Sequence, residues 1–348
     1  RIMENTKKIK LFIGLSYLLI ICLFLYFFFS KFSLEEITSY DFIKNNSAYF
    51  AELKNSNLFL ISIIFIATIF SQSLSSYSFN SSVSSSLAGA AVSNRLGIWS
   101  VYHNPALLVE SENNSASIGY SNLYNQNFLP QSNFGLVLRT KKINLGIKFS
   151  NLSVKNQNID LLKESLIGVS SGIYLLNDNN SSLSMGITSN LYMIDFGPSA
   201  GSLGDGSNGL DSDPISSLGI DLGFLGVLRD KNRLGVFIKN INSPTIGEGF
   251  SNQNLPRVFH IGLTTIPNNF MEVSFSAEQL LGYHSAQYRT ALQYKLNRSL
   301  QLNTGVQINP NRFGIGFSYQ KDSFNISYGY LTHHVLPGTH QFNFGIIF

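Results

Sequence analysis

The sequence predicts an all-β protein, a transmembrane antiparallel up-and-down β-barrel of about fourteen strands. Large apolar residues take alternate positions near the end of the chain, where Phe342, Phe344 and Ile346 are separated by Asn343 and Gly345. Successive strand side chains point to opposite faces, so such a run has one apolar and one small or polar face. Charged residues make up 13% of the chain, against ~25% in typical soluble proteins. Similar runs recur many times, separated alternately by short and long links.

The first 72 residues differ in composition from the rest. Residues 1–53 contain Leu11–Ser30, an uncharged segment flanked by lysines, which predicts one transmembrane helix. Residues 54–72 have the layout of a secretory signal peptide: Lys54, the apolar core Leu58–Phe70, then small and polar residues. We expect cleavage near Ser71 or Gln72.

Residues 7–70 resemble the N-terminal region of DedA-type inner-membrane proteins, and only that region of the family is matched. The chain begins with Arg1, and two interpretations of residues 1–53 stay open. They belong to a second gene joined to this one, by fusion or as an artefact of assembly, or they form an unusually long leader. No function is carried over from this resemblance.

Alternating runs beyond residue 114 predict fourteen strands within a barrel segment, 114–348. An even number of strands suits a bacterial outer-membrane barrel. The strands are predicted near 115–121, 131–140, 142–150, 165–176, 181–195, 216–228, 233–241, 255–265, 270–280, 286–296, 299–308, 312–320, 323–331 and 339–348.

The links between these strands alternate in length. Tight turns such as TKK, NDNN, RDKN and KD are separated by longer links such as 121–130 and 197–214, and residues 151–164 are predicted as another long loop. An outer-membrane barrel has short periplasmic turns and long external loops, whereas a Greek-key sandwich has no reason to keep this alternation. The sequence therefore predicts a bacterial outer-membrane location, with outer-membrane lipid as a partner.

Charged residues inside the predicted strands fall on the inward-facing positions. A charge on the lipid face costs roughly 2–4 kcal/mol near the bilayer midplane, so their common parity favours the barrel. The inward charges are Lys148, Lys239, Glu272, Glu278, Arg289 and Lys295.

A segment at 73–113 precedes the barrel and is too polar and too rich in Gly and Ala for a membrane strand. Its run Tyr102–Leu108, YHNPALL, resembles the YNPAGL element of the PorV/PorQ group within the FadL-like superfamily. The pieces GIDLGFLG, VFIKNINSP, NLPRVFHIGLT, FSAEQ and LPGTHQFNFGIIF resemble PorV-type sequences in the same order, so the resemblance covers about residues 80–348. The chain departs from the pattern at Leu107, where Gly is common, and at NRLGIW, which replaces an acidic pair.

The resemblance implies that residues 73–113 fold into the barrel lumen as a hatch. The alternative is an ordinary Asn-Pro turn in a periplasmic tail, because the turn chemistry is the same in both. A C-terminal strand that ends on Phe348 also resembles the signal read by the barrel assembly machinery, which is therefore an expected partner. The candidate hatch-motif residues are Gly89, Trp99, Tyr102, Asn104, Pro105 and Ala106.

Two functions fit this fold. The resemblance to PorV/PorQ implies a type IX secretion component that engages cargo or partner proteins through its outer loops. The alternative is a FadL-like transporter for hydrophobic small molecules or long-chain fatty acids. An apolar pocket lined by hatch residues such as Trp99 favours transport, and an exposed groove in the loops favours secretion.

Composition argues against several other classes. The single cysteine, Cys22, excludes a disulfide framework and a cysteine metal site. The net charge of +4 is carried by scattered basic residues, so no nucleic-acid partner is expected. The sequence contains neither a nucleophile elbow nor a phosphate loop, and it predicts neither an enzyme nor a cofactor.

The sequence contains two clusters of possible metal ligands, and no metal site is predicted from either. The run Gly204–Asp213 is rich in oxygen ligands but fits no EF-hand, so it is only a minor calcium candidate through Asp205, Asn208, Asp211 and Asp213. The rim histidines lack an accompanying carboxylate or cysteine and are expected to be solvated; they are His333, His334 and His340.

Overall fold

The computed structural model describes residues 79–140, 142–156, 159–198, 209–210, 213–247, 253–281 and 286–348. All of them belong to one compact unit, Ser71–Phe348. The predicted transmembrane helix Leu11–Ser30, the signal-like segment 54–72 and the first residues of the predicted hatch segment, 73–78, lie outside the described residues. Within the described ranges, no helix is both long and apolar enough to cross a membrane.

Fourteen antiparallel strands form a closed barrel, as predicted. Each strand pairs with its neighbours along the chain, and the first pairs with the last, from Ser115 opposite Ile347 to Asn122 opposite His340. The barrel strands are β1 (Ser115–Asn122), β2 (Pro130–Leu138), β3 (Asn144–Asn156), β4 (Ile159–Asn177), β5 (Ser181–Phe196), β6 (Ile215–Leu228), β7 (Asn232–Lys239), β10 (Val258–Asn268), β11 (Met271–Leu280), β12 (Gln287–Lys295), β13 (Leu300–Ile308), β14 (Arg312–Lys321), β15 (Phe324–Leu331) and β16 (Thr339–Ile347).

Two further strands lie in the link between β7 and β10. β8 (Thr245–Ile246) and β9 (Gln253–Asn254) form a separate two-stranded sheet, so β7 still pairs directly with β10 in the barrel. The long link contains its own short hairpin and leaves the up-and-down order of the wall intact.

The prediction of a long loop at 151–164 was wrong. β3 continues to Asn156 and β4 begins at Ile159, so most of that segment is paired strand. The physical reason is the alternation of Leu152, Val154 and Leu162, whose side chains are buried. Polar residues between them suit strands that have left the bilayer and face water on one side. β4 has 19 residues, against the roughly 9–11 that cross a bilayer.

The two faces of the wall differ as the alternation predicts. In β16, Phe342 is 58% exposed and Phe344 is 44% exposed on the outer surface, whereas Gln341 and Asn343 are buried on the lumenal side. A closed sheet with an apolar exterior satisfies every backbone group of the wall and still faces lipid. The protein is therefore located in the bacterial outer membrane.

The predicted inward charges lie on the lumenal side of the wall. Lys148 pairs with Asp221 at 3.7 Å, and Arg289 pairs with Glu278 at 2.8 Å; all four side chains are buried. Lys295 lies 3.9 Å from Glu272 near the periplasmic end of the wall. The parity argument thus separated lipid-facing from lumenal positions correctly.

A chain segment inside the barrel, residues 79–113, is called the hatch from here on. It contains helix α1 (Ser82–Ser86), a 3-10 helix at Gly97–Trp99, helix α2 (Ser100–His103) and a second 3-10 helix at Pro105–Glu110. Helix α1 contacts β13, β14, β15 and β16, and the second 3-10 helix contacts β3, β4, β5 and β6. These two helices of the hatch therefore contact two different groups of wall strands.

Inward-facing glycines make room for the hatch backbone. A Cβ atom at Gly186 of β5 would lie 2.3 Å from the carbonyl carbon of Pro105, and one at Gly223 of β6 would lie 2.1 Å from the Asn104 Oδ1 atom. Real Cβ atoms do not approach that closely, so these positions exclude any side chain while the hatch is in place.

Gly223→Ala is expected to weaken hatch docking without destroying the barrel, since overpacking costs roughly 1–3 kcal/mol. We expect a higher ionic conductance through single barrels in a planar bilayer. The matched control is Gly226→Ala on the same strand, where a Cβ meets nothing within 4 Å. Equal conductance of the two variants would show that the close contact at Gly223 does not hold the hatch.

Candidate functional site

The hatch and the wall that surrounds it form the candidate site. All six predicted motif residues lie inside the barrel, as expected for a hatch and not for a periplasmic tail. Gly89 has a positive φ of 81°, which L side chains rarely adopt, and its carbonyl oxygen accepts a hydrogen bond from Arg289 Nη1 at 3.1 Å. A Cβ at this position would also lie 2.9 Å from that guanidinium.

Asn104 organises the turn at the centre of the hatch. Its side-chain Oδ1 accepts a hydrogen bond from the Ala106 backbone N–H at 3.0 Å and so caps the 3-10 helix that begins at Pro105. Its Nδ2 donates to the Val92 carbonyl at 2.9 Å and to the Phe224 carbonyl at 3.1 Å. One buried amide thus joins two parts of the hatch to β6.

Tyr102 and Trp99 connect the apolar side of the hatch to the wall. The Tyr102 hydroxyl lies 2.7 Å from the Phe134 carbonyl and 2.7 Å from the Phe149 carbonyl, on β2 and β3. Its ring centroid is 5.8 Å from that of Trp99, which is 3% exposed. Both rings belong to an apolar cluster formed with Leu87, Ala90, Ala91, Leu96, Val101, Leu108, Val137 and Ala291.

Helix α1 is held to the last strands through hydroxyl groups. The Ser82 backbone N–H donates to Asn343 Oδ1 at 2.9 Å, and the Ser82 hydroxyl lies 2.7 Å from the Ser327 hydroxyl. The Ser85 hydroxyl donates to Gln341 Oε1 at 2.7 Å. Small hydroxyl side chains let the helix approach the wall closely while they satisfy its polar groups.

Two wall arginines bind the hatch. Arg233 of β7 forms a bidentate pair with the carboxylate of Glu110 and donates from Nε to the Ser93 carbonyl at 2.7 Å. Sequence reasoning found Arg289 but missed Arg233 and Glu110. The available signal was the parity of β7, which puts Arg233 on the same face as Lys239.

The Arg289 guanidinium joins the hatch to three wall strands. It pairs with Glu278 of β11 through two hydrogen bonds of 2.8 Å and 2.9 Å and donates from Nε to Gln307 of β13 at 3.1 Å. His260 Nδ1 lies 3.5 Å from the same carboxylate. The Arg289 guanidinium that donates to the Gly89 carbonyl is therefore held in place by Glu278 and Gln307.

A second apolar cluster lies at the external end of the lumen, where the long loops are. Its buried members come from the β1–β2 link, the strand extensions and the β8–β9 hairpin. They are Leu123, Tyr124, Leu152, Leu166, Tyr192, Ile246 and Leu255, with Leu129, Ile194 and Ile215 packed against them. Apolar side chains thus pack against one another at the external end of the barrel.

The structure describes little of the minor calcium candidate. Asp205, Asn208 and Asp211 lie outside the described residues, and Asp213 is exposed. In the ranges that the structure does describe, no group of three or more His, Cys, Asp or Glu side chains could hold a metal ion.

The rim histidines make structural contacts. His333 Nδ1 accepts hydrogen bonds from the backbone N–H groups of Val335 and Leu336, at 3.3 Å and 3.0 Å. Burial, with Arg312 and His334 adding to it, lowers the pKa of His333 to about 3. A neutral ring is the form that can accept these bonds. His340 lies 2.8 Å from the Tyr328 hydroxyl.

Comparison with solved structures finds the same fold. The chain is similar to CymD, a monoaromatic hydrocarbon channel, with a TM-score of 0.52 and 14% identity over 77% of this chain and 96% of that chain. It is similar to the Ralstonia pickettii toluene transporter TbuX, with a TM-score of 0.51 and 14% identity over 77% and 97% of the two chains. It is also similar to the Pseudomonas putida toluene transporter TodX, with a TM-score of 0.51 and 12% identity over 77% of this chain and 96% of that chain.

These likenesses confirm the barrel fold. No family model and no curated protein matches the sequence. The resemblance to the PorV/PorQ group of the FadL-like superfamily and the DedA-type resemblance of residues 7–70 stay predictions.

Asn104→Ala is expected to release the centre of the hatch. The substitution removes the cap and leaves buried carbonyls without their donor, at roughly 1–3 kcal/mol for each unsatisfied group. We expect faster hydrogen exchange at residues 100–110 in the assembled barrel. Asn127→Ala, at an exposed position in the β1–β2 link, is the control and should leave that exchange unchanged. Slow exchange in Asn104→Ala would show that Tyr102 and the wall hold the turn without the amide.

Proposed function

We propose that the protein is an outer-membrane channel for hydrophobic small molecules, of the FadL-like kind. The observation that carries the proposal is the hatch itself, which fills the lumen and presents its own apolar cluster around Trp99 and Tyr102. A water-filled porin needs an open polar lumen, whereas a hydrophobic solute needs apolar surface that is shielded from water.

Apolar side chains lie at successive levels along the barrel. A buried cluster around Tyr124 and Tyr192 lies at the external end, another around Trp99 lies in the hatch, and a cavity beside Trp99 lies at the periplasmic end. A hydrophobic solute can leave water at the first level and meet apolar side chains again at the others. The likeness to CymD, a monoaromatic hydrocarbon channel, and to the toluene transporters TbuX and TodX supports the same choice.

The second candidate is a secretion component that resembles PorV/PorQ. The ordered sequence motifs support it, and the extension of β3, β4 and β5 beyond bilayer length gives the external side a rigid wall on which a protein could rest. The fold comparisons favour transport over this alternative.

An experiment in cells that lack the protein distinguishes the two functions. Transport predicts slower uptake of labelled toluene or of a long-chain fatty acid at low external concentration, with protein secretion unchanged. The chain supplied from a plasmid should restore uptake. Loss of secretion with normal uptake would overturn the transport proposal and support the secretion component.

Transport through a filled lumen requires the hatch to move, and a reversible lock tests this step. Ser82→Cys with Ser327→Cys joins α1 to β15 at a position where the native hydroxyl oxygens are 2.7 Å apart. We expect the disulfide to stop uptake and a reductant to restore it. Background oxidation is removed by Cys22→Ser, since Cys22 is the single cysteine of the sequence.

The control lock joins two neighbouring wall strands instead. Ser170→Cys with Thr188→Cys links β4 to β5, where the hydroxyl oxygens are 2.8 Å apart, and should leave uptake unchanged. Uptake that continues with α1 locked to the wall would place the route away from α1.

A further inference from the structure

The two ends of the barrel differ in charge. We define the periplasmic rim as the six short turns together with the strand residue on each side of them, which are residues 138–144, 177–181, 228–232, 268–271, 295–300 and 321–324. The rim contains eight lysine and arginine residues and three acidic residues. The seven external links, bounded in the same way, contain three basic and four acidic residues. The excess of positive charge therefore lies at the periplasmic end.

This charge is not neutralised within the described part of the chain. Of the described cations of the rim, only Lys295 forms an ion pair, at 3.9 Å from Glu272. The remaining ones are exposed, and they are Arg139, Lys142, Arg229, Lys231, Arg298 and Lys321. Exposed cations without an ion pair are free to attract an anion outside the chain.

The cations lie at the edge of the apolar outer surface of the wall. Large apolar side chains are exposed in the same four turns, and they are Ile143, Leu228, Leu296 and Phe324. Lys321 lies directly opposite Phe324 in the register of β14 with β15. The head groups of a bilayer occupy a layer of roughly 5–7 Å on each side of the hydrocarbon core. Cations at the border of the apolar surface are therefore at the level of the lipid phosphates.

The cations are distributed around the barrel. They occur in four of the six turns of the rim, which join β2 to β3, β6 to β7, β12 to β13 and β14 to β15. In the closed order of strands these turns lie on different sides of the wall. A docked protein would contact one side, whereas the surrounding lipid contacts the whole circumference. The distribution therefore favours lipid over an acidic protein as the partner.

We propose that the periplasmic rim is a contact surface for anionic phospholipid heads of the periplasmic leaflet. The contact lies on the outside of the wall, and it is independent of the hatch and of the proposed transport function. Lipids with a net negative charge, such as phosphatidylglycerol, are attracted to basic residues at a membrane surface. A zwitterionic head gains less, because its own ammonium group offsets the phosphate.

Spin-labelled lipids measure this preference directly. The full chain is placed in phosphatidylcholine vesicles that contain a trace of acyl-chain-labelled phosphatidylglycerol or phosphatidylcholine. The motionally restricted fraction of each label gives its association with the barrel. We expect roughly threefold stronger association of phosphatidylglycerol at low salt. The ratio should fall towards one at 1 M salt, where the Debye length is about 3 Å.

A triple variant tests the rim. Lys142→Gln with Lys231→Gln and Lys321→Gln removes three exposed cations from three turns and is expected to lower the threefold ratio to roughly one and a half. The control, Lys155→Gln with Lys163→Gln and Arg257→Gln, removes three exposed cations from the external side and changes the net charge equally. It should keep the original ratio. A heat-dependent gel shift verifies that both variants form the barrel.

Three results would overturn the proposal. The first is a ratio near one for the unmodified chain at low salt, and the second is an equal loss of preference in the rim variant and its control. The third is absence of lipid preference together with saturable binding of poly-glutamate that the rim variant loses, which would assign the surface to an acidic protein. Uptake of toluene by the rim variant should stay normal, because the rim lies outside the hatch.

Discussion

Lipid offers no hydrogen-bond partner to a peptide group, and this constraint determines the rest of the structure. It requires the sheet to close, and β1 does so against β16 along its full length. It also favours large apolar residues on the outer surface of the wall and places buried charges such as Lys148, Asp221 and Glu278 in the lumen. A closed wall of fourteen strands then encloses a space too wide for its own side chains to fill, and the hatch fills it.

The hatch is held by many modest interactions. Hydrogen bonds from Ser82, Ser85, Tyr102 and Asn104 each contribute about 0.5–1.5 kcal/mol net, because water would replace them. The Arg233–Glu110 pair is stronger and bidentate. A segment fixed in this way is well positioned but can exchange its bonds one after another, which is what the proposed transport function requires of it.

The wall could be predicted from the sequence, and most of the hatch contacts could not. Alternation and turn chemistry located all fourteen strands and the inward charges, because lipid imposes a strict period of two. The same alternation extends through Leu152 and Leu162, but the polar residues between them predict a loop. The hatch has no period, so its pairing with distant strands, as in Arg233 with Glu110, depends on tertiary structure. The motif residues Asn104 and Pro105 were found only through a resemblance.

The position of α1 links the docking of the hatch to the closure of the barrel. This helix comes before β1 in the chain, yet it docks on β14, β15 and β16, the barrel strands farthest from it along the chain. The final strand supplies Gln341 and Asn343 to the helix and at the same time closes the seam with β1. Docking of α1 and closure of the cylinder therefore depend on the same strand, and a change in β16 that weakens one also affects the other.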